Sequence, residues 1–126
     1  MRHRLIATLI AVGVVLGAWP AVAASLEGQW RGSGVVSHRK ANDAVRCRVS
    51  FHRLSASSFS VSSQCTHESG RYDVRGRVVA TGGNRYSGPV EGDGVTGTAV
   101  IVQNGNRLSV SVTSRRGSAK LTLSRL

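Results

Sequence analysis

Carboxylates are scarce in this chain. Six Asp and Glu stand against 17 Lys and Arg, a formal charge of +11 at pH 7. Most of the six (Glu27, Asp43, Glu68, Asp73, Glu91 and Asp93) fall in turn-like stretches or near strand ends, where solvated carboxylates are ordinary. No constellation of paired acids stands out for general acid–base work. The Gly-x-Ser-x-Gly elbow of serine hydrolases is missing despite abundant serine. The glycines form no phosphate loop, because no helix follows them. Only two cysteines occur, at positions 47 and 65, and they are not the Cys-x-x-Cys of a redox site. A metal site would need His or carboxylate partners, yet His38, His52 and His67 lie far apart in sequence. Aromatics number six. None falls on the outward parity of the basic strands, so bases would find nothing to stack on and nucleic acid is not an expected partner. These absences point to a binding protein without cofactor or metal, and not to an enzyme.

What is present begins with the leader. Arg2, His3 and Arg4 precede an apolar run, Leu5 to Ala18, and then Trp19-Pro20-Ala21-Val22-Ala23-Ala24. That is the three-part layout of a secretory signal peptide, residues 1–24, with cleavage after Ala23 or Ala24. Fourteen apolar residues are short of the roughly 20 that a bilayer span needs. No cysteine follows the cleavage region for a lipid anchor. The expected mature chain, 25–126, is one domain without a transmembrane anchor, periplasmic or secreted, and a monomer. Loss of Arg2 and Arg4 leaves 15 basic residues against six acidic ones, and only Lys40 and Lys120 of the 15 are lysine. Codon bias would produce such an arginine preference. So would a site for phosphate or carboxylate, where the planar guanidinium fork matters.

Beyond residue 24 the pattern is one of period two. Val45-Cys47-Val49-Phe51 alternates with Arg46-Arg48-Ser50-His52, and Phe59-Val61-Ser63-Cys65 with Ser58-Ser60-Ser62-Gln64. Tyr72-Val74-Gly76-Val78 alternates with Arg71-Asp73-Arg75-Arg77, and two C-terminal runs behave alike. One apolar face per run means half-buried antiparallel strands. Turn chemistry recurs at Asn42-Asp43, Ser55 to Ser58, Ser69-Gly70, Gly82-Gly83-Asn84, Gly92-Asp93-Gly94, Asn104-Gly105-Asn106 and Arg116-Gly117-Ser118. The strands are expected near 29–38, 44–53, 58–66, 71–80, 84–90, 95–103, 107–114 and 118–125. Links this short pair each strand with its predecessor. Closure into an all-β, eight-stranded antiparallel up-and-down barrel removes the two long edges an open meander would expose. Gly32, Gly34, Gly76, Gly88 and Gly97 sit on the inward parity, where a strand glycine marks a bend or close approach. Trp30, Phe51, Phe59, Tyr72 and Tyr86 share that parity and are expected to fill the interior.

A hairpin turning at Ala56 places Phe51 opposite Val61, Val49 opposite Ser63 and Cys47 opposite Cys65, all on the inward parity. Turn position, hydrophobic register and cysteine position agree, which argues for a cross-strand disulfide. Export favours the same answer. On the outward face, Arg46 and Arg48 on one side and Arg71, Arg75 and Arg77 on the other flank a column of Ser58, Ser60, Ser62 and Gln64. Such columns are a candidate anion-binding surface for an envelope polymer, weighed against an ordinary solvated exterior.

Gly28-Gln29-Trp30 at the first strand resembles the Gly-x-Trp of the calycin superfamily, which includes lipocalins and bacterial inhibitors of alkaline-protease type. The resemblance implies that Trp30 closes one barrel end and that Arg125, from the last strand, packs on it. For inhibitors it implies an exported barrel with an early disulfide and an N-terminal arm directed at a metalloprotease; here Ala24 to Glu27 precede the motif. The chain is also similar to small exported proteins of alphaproteobacteria in its Trp-x-Gly-x-Gly start, Cys-Arg segment and glycine-spaced strands. The expected function is an exported, non-enzymatic binding protein of the bacterial envelope for an anionic partner or a small ligand. Inhibition of a protease is the alternative.

Overall fold

The computed structural model describes residues 25–39 and 41–126; the leader segment, 1–24, lies outside the described residues. Eight strands follow one another: β1 (Gly28–His38), β2 (Ala41–Arg53), β3 (Ser58–His67), β4 (Gly70–Gly82), β5 (Arg85–Gly92), β6 (Val95–Asn104), β7 (Arg107–Ser114) and β8 (Gly117–Arg125). Each forms within three residues of its expected bounds. Neighbours in sequence pair antiparallel, and β8 pairs back onto β1, so the sheet is a closed up-and-down barrel.

The closing seam runs from Trp30 opposite Arg125 to His38 opposite Gly117. Closure leaves no unpaired strand edge, which is why so short a chain needs no helix to cover one. Inward positions are apolar and outward ones are Ser, Thr and Arg, as the buried–exposed alternation of β2 shows most plainly. This is the reverse of a lipid-facing barrel, whose apolar band points outward. Among the described residues no helix is long and apolar enough to cross a membrane.

Cys47 and Cys65 are directly opposed on β2 and β3 and form the disulfide, with Cα atoms 4.1 Å apart. The hairpin register places Phe51 opposite Val61 and Val49 opposite Ser63 as well. The bond closes a loop of 18 residues. In the chain-entropy account such a loop is worth about 3 kcal/mol, by limiting the unfolded ensemble. A Cys47→Ala/Cys65→Ala variant should therefore unfold at a lower urea midpoint with that loss and a slightly larger slope. A stability within about 0.5 kcal/mol of the parent would show that the barrel does not lean on its staple.

The interior departs from the expectation of a filled core. Trp30, Phe51, Phe59 and Tyr86 all lie at one end, where β1, β3 and β5 begin and β2 ends. There they pack with Leu26, Val78, Ile101, Leu108 and Leu123 into a dense core. Tyr72 stands at the opposite end. Alternation assigns a side chain to the inside but not to a height along the barrel axis, and the heights leave the other half hollow. The strand glycines do not make room for rings either. A Cβ on Gly32, Gly34, Gly76, Gly88 or Gly97 would overlap backbone of the adjacent strand. These positions are sharp bends where two strands nearly touch.

Candidate functional site

The barrel has one sealed end and one open end. The seal is built from both termini of the described chain. Leu26, fully buried, precedes β1 and plugs the bottom. The Trp30 indole N–H donates to its carbonyl at 3.0 Å. Above the indole face lies the Arg125 guanidinium, 4.2 Å from the ring centroid. The same guanidinium donates to the Glu27 carbonyl at 3.0 Å, to Asn106 Oδ1 at 3.2 Å and to the Ser25 carbonyl. Arg53 supports the plug from the other side, donating to Ser25 Oγ at 3.0 Å while its guanidinium covers the Phe59 ring. Gln103, buried, donates to the Ser25 and Gly105 carbonyls. Trp30 and Arg125 thus meet at this end of the barrel. The roles of Arg53 and Gln103 were not legible in advance.

Above this floor is a cup of about 1190 Å³. Its base is Phe51, Ile101 and Leu123, and its walls include Val49, Val61, Val74, Val110, Val112 and Leu121. The disulfide is part of the wall, because both cysteines point inward. Ser63 is the polar exception at mid-depth. It is 8 % exposed, and its Oγ has the Cys65 sulfur at 3.4 Å as its partner among the described residues. A hydroxyl so placed retains hydrogen-bonding capacity toward the cup.

Nearer the mouth stands Tyr72, with the His67 ring 5.5 Å away. Burial raises the Tyr72 phenol above its usual pKa of 10.0, and the charges of Asp93 and Asp43 raise it further. The phenol stays a neutral donor well past neutral pH. Its folded pKa exceeds the unfolded one, so the stability it contributes is complete below pH 10 and drains away as the pH climbs through the raised value. In a phenolate absorbance titration, Tyr72→Phe should remove the component that ionises above pH 10. If that component persists, the assignment to Tyr72 is wrong.

The five outward arginines occupy the strands expected of them, but the rungs do not align into two facing columns. Arg46 and Arg71 share a rung through Thr66. Arg48 shares its rung with Gln64 and then Asp73. Arg75 has Ser62 on one side and Glu91 on the other, and Arg77 faces Ser60. One arginine that the strand-by-strand reading omitted joins them: Arg31 on β1 directly opposes Arg48. No ion pair within 4 Å involves any of the six among the described residues. Arg31, Arg46 and Arg48 thus form a positive cluster on β1 and β2. No group of three or more potential metal ligands occurs among the described residues.

No protein-family model and no curated protein sequence matches the chain. Solved structures do. A redesigned beta barrel, mFAP1, bound to DFHBI, is 13% identical, with 79% of this chain and 94% of that one aligned at a TM-score of 0.68. A second redesigned barrel, mFAP0, bound to DFHBI, is 14% identical over 79% and 98% of the two chains, at a TM-score of 0.69. Echinococcus granulosus fatty-acid-binding protein 1 aligns at 11% identity over 80% and 97%, with a TM-score of 0.48. At such identities the likeness to the two redesigned barrels is one of fold: a closed, eight-stranded, up-and-down β-barrel.

Proposed function

We propose that the chain is an exported, non-enzymatic binding protein that carries a small, largely apolar ligand inside its barrel. The observation that carries this reading is the cup itself. It is sealed at one end, open at the other and walled by aliphatic side chains, with the Ser63 hydroxyl and the Tyr72 phenol as its inner polar groups. Ligand sites have this make-up, mostly apolar walls with a few placed polar groups, and the cup is somewhat roomier than their usual range of about 300–1,000 Å³. Redesigned barrels of the same shape have DFHBI bound, which supports the reading by analogy. The disulfide fits a protein that works in an oxidising compartment, as the leader pattern requires.

A dansyl-labelled fatty acid tests the cup. It should gain fluorescence on binding, and a Val112→Trp variant, which projects an indole into the hollow half, should weaken binding about tenfold or more while leaving the fold intact by circular dichroism. Unchanged binding in that variant, or none in the parent, would refute the reading.

A second reading rests on Arg31, Arg46 and Arg48: attraction of an anionic envelope polymer to the β1–β2 face. Its mark is a steep fall of affinity with salt, together with loss of polymer binding on Arg46→Ser/Arg48→Ser. Binding inside the cup should hardly respond to either change. The inhibitor alternative finds no support in this geometry. Leu26 is buried in the barrel floor, and the carbonyls of Ser25 and Glu27 are engaged by Arg125, so these residues do not form an arm projecting toward a protease.

A further inference from the structure

The mouth of the cup is electrically polarised. Four loops surround it, those after β1, β3, β5 and β7, because hairpins that leave odd-numbered strands all turn at the same end. The loops after β7 and β1 are neighbours around the ring, and they carry Arg115, Arg116 and Arg39. The loops after β3 and β5 are also neighbours, and they carry Glu68 and Asp93. The three arginines and Asp93 line the mouth and are exposed. None of the four forms an ion pair within 4 Å among the described residues.

Of the other charged groups near this end, Arg71 at the start of β4 stands on the outward face, opposite Thr66. Asp43 lies toward the basic side but is bonded to His38, Nε2 to Oδ2, at 2.9 Å. His67 and the Tyr72 phenol stand on the acidic side. One half of the rim thus offers guanidinium donors over an apolar cavity. The other half offers the Asp93 carboxylate beside a neutral aromatic ring, a combination suited to an ammonium group.

The geometry points to a single-chain zwitterionic amphiphile as the ligand: tail in the cup, its anionic group toward Arg115, Arg116 and Arg39, its ammonium toward Asp93. The inference rests on the cup being a ligand site and adds the chemistry of the head. Size is consistent with it. Eight strands about 4.8 Å apart, tilted about 40°, enclose a ring about 15 Å across between backbones. Long arginine side chains from one side and the short Asp93 side chain from the other narrow that span to the scale of one head group. A purely anionic amphiphile would face the Asp93 carboxylate unpaired, and a purely cationic one the arginines. Discrimination against both comes from repulsion as much as from attraction.

The test compares four amphiphiles of equal chain length by calorimetry: a lysophosphatidylethanolamine, a fatty acid, an alkylamine and a monoacylglycerol. The zwitterion should bind about tenfold tighter than either singly charged compound. Arg115→Ser/Arg116→Ser should bring the zwitterion down to the level of the alkylamine, and Asp93→Asn should bring it down to that of the fatty acid. Asparagine suits position 93, where φ is +50°. The neutral monoacylglycerol should be indifferent to both variants, which reports that the cup is intact. Equal binding of all four, or preference for one sign of charge, would overturn the zwitterion and leave the cup standing. No binding by any of the four would remove the cup reading itself.

Discussion

Trp30→Ala should cost the barrel about 3–5 kcal/mol, the range for truncating a buried tryptophan. That is a large share of the 5–15 kcal/mol that a domain of this size has in total. Three losses coincide at the position. The fully buried indole leaves a void next to Leu26 and the rest of the floor. The Leu26 carbonyl loses the indole N–H, its one side-chain donor among the described residues, and a buried acceptor without a partner costs about 1–3 kcal/mol. Arg125 loses the ring beneath it. Thermal unfolding followed by far-ultraviolet circular dichroism should show a fall of 15 °C or more, since about 1 kcal/mol moves the midpoint of a domain near 100 residues by 4–8 °C. Trp30→Phe separates the contributions, keeping a ring under the guanidinium but no N–H for Leu26, and should fall between parent and alanine. Should Trp30→Ala melt within a few degrees of the parent, the floor would be held by Arg125 and Arg53 alone. Arg125→Lys should also weaken the floor. One ammonium cannot reach the three acceptors that the guanidinium fork holds at once.

The floor makes the barrel a cup and not a tube. Leu26, Trp30, Phe59 and Leu108 close one end. On the proposal that the cup is a ligand site, stability and binding are concentrated in different halves. Substitutions high in the cup, such as Val112→Trp, should then act on binding, and substitutions at the floor on folding.

Much of this architecture can be read from the chain. Turn clusters spaced 10 to 15 residues apart count the strands, and period two separates inside from outside. One coincidence, Cys47 opposite Cys65 with Phe51 opposite Val61, fixes a register. The position of each residue along the barrel axis is what local pattern does not contain. Trp30, Phe51, Phe59 and Tyr86 are each inward, but their gathering at one end depends on where each strand begins relative to the others. Expecting the barrel to be filled therefore overestimated how far five aromatics reach. The rim was missed for a related reason. Arg39, Asp93 and Arg115 are distant in sequence and share a mouth only because alternate hairpins turn at one end. That rule follows from an up-and-down topology, so the polarised lip was available once the topology was accepted. Arg31 stands between glycine and tryptophan positions in β1, and it is the register with β2 that sets it against Arg48.

Gly34→Ala should be as damaging as loss of the tryptophan, through a single methyl group. Gly34 pairs with Leu121 on the β1–β8 seam, the pairing that converts an eight-stranded sheet into a barrel. A Cβ there would lie 2.8 Å from the Leu121 Cα and closer still to the Lys120 carbonyl oxygen. Backbone cannot swing aside as a side-chain tip can, so relief requires β1 and β8 to separate. Overpacking commonly costs about 1–3 kcal/mol, and an overlap with main chain on a closing seam belongs at or above the top of that range. Gly32 repeats the arrangement one pleat away, against Thr122 and Leu123. The Gly32→Ala/Gly34→Ala variant should fail to close altogether, leaving β1 and β8 with free edges that pair between molecules. Size-exclusion chromatography should then find aggregate where the parent elutes as a compact species. Ser33→Ala, on the outward face of the same strand, supplies the control and should change stability by no more than about 0.5 kcal/mol. A compact Gly32→Ala/Gly34→Ala protein as stable as that control would mean that the seam has slack, and that barrel girth is set elsewhere. If the seam is as tight as the geometry gives it, the two glycines set the width of the cup, and with it the cross-section of what can enter.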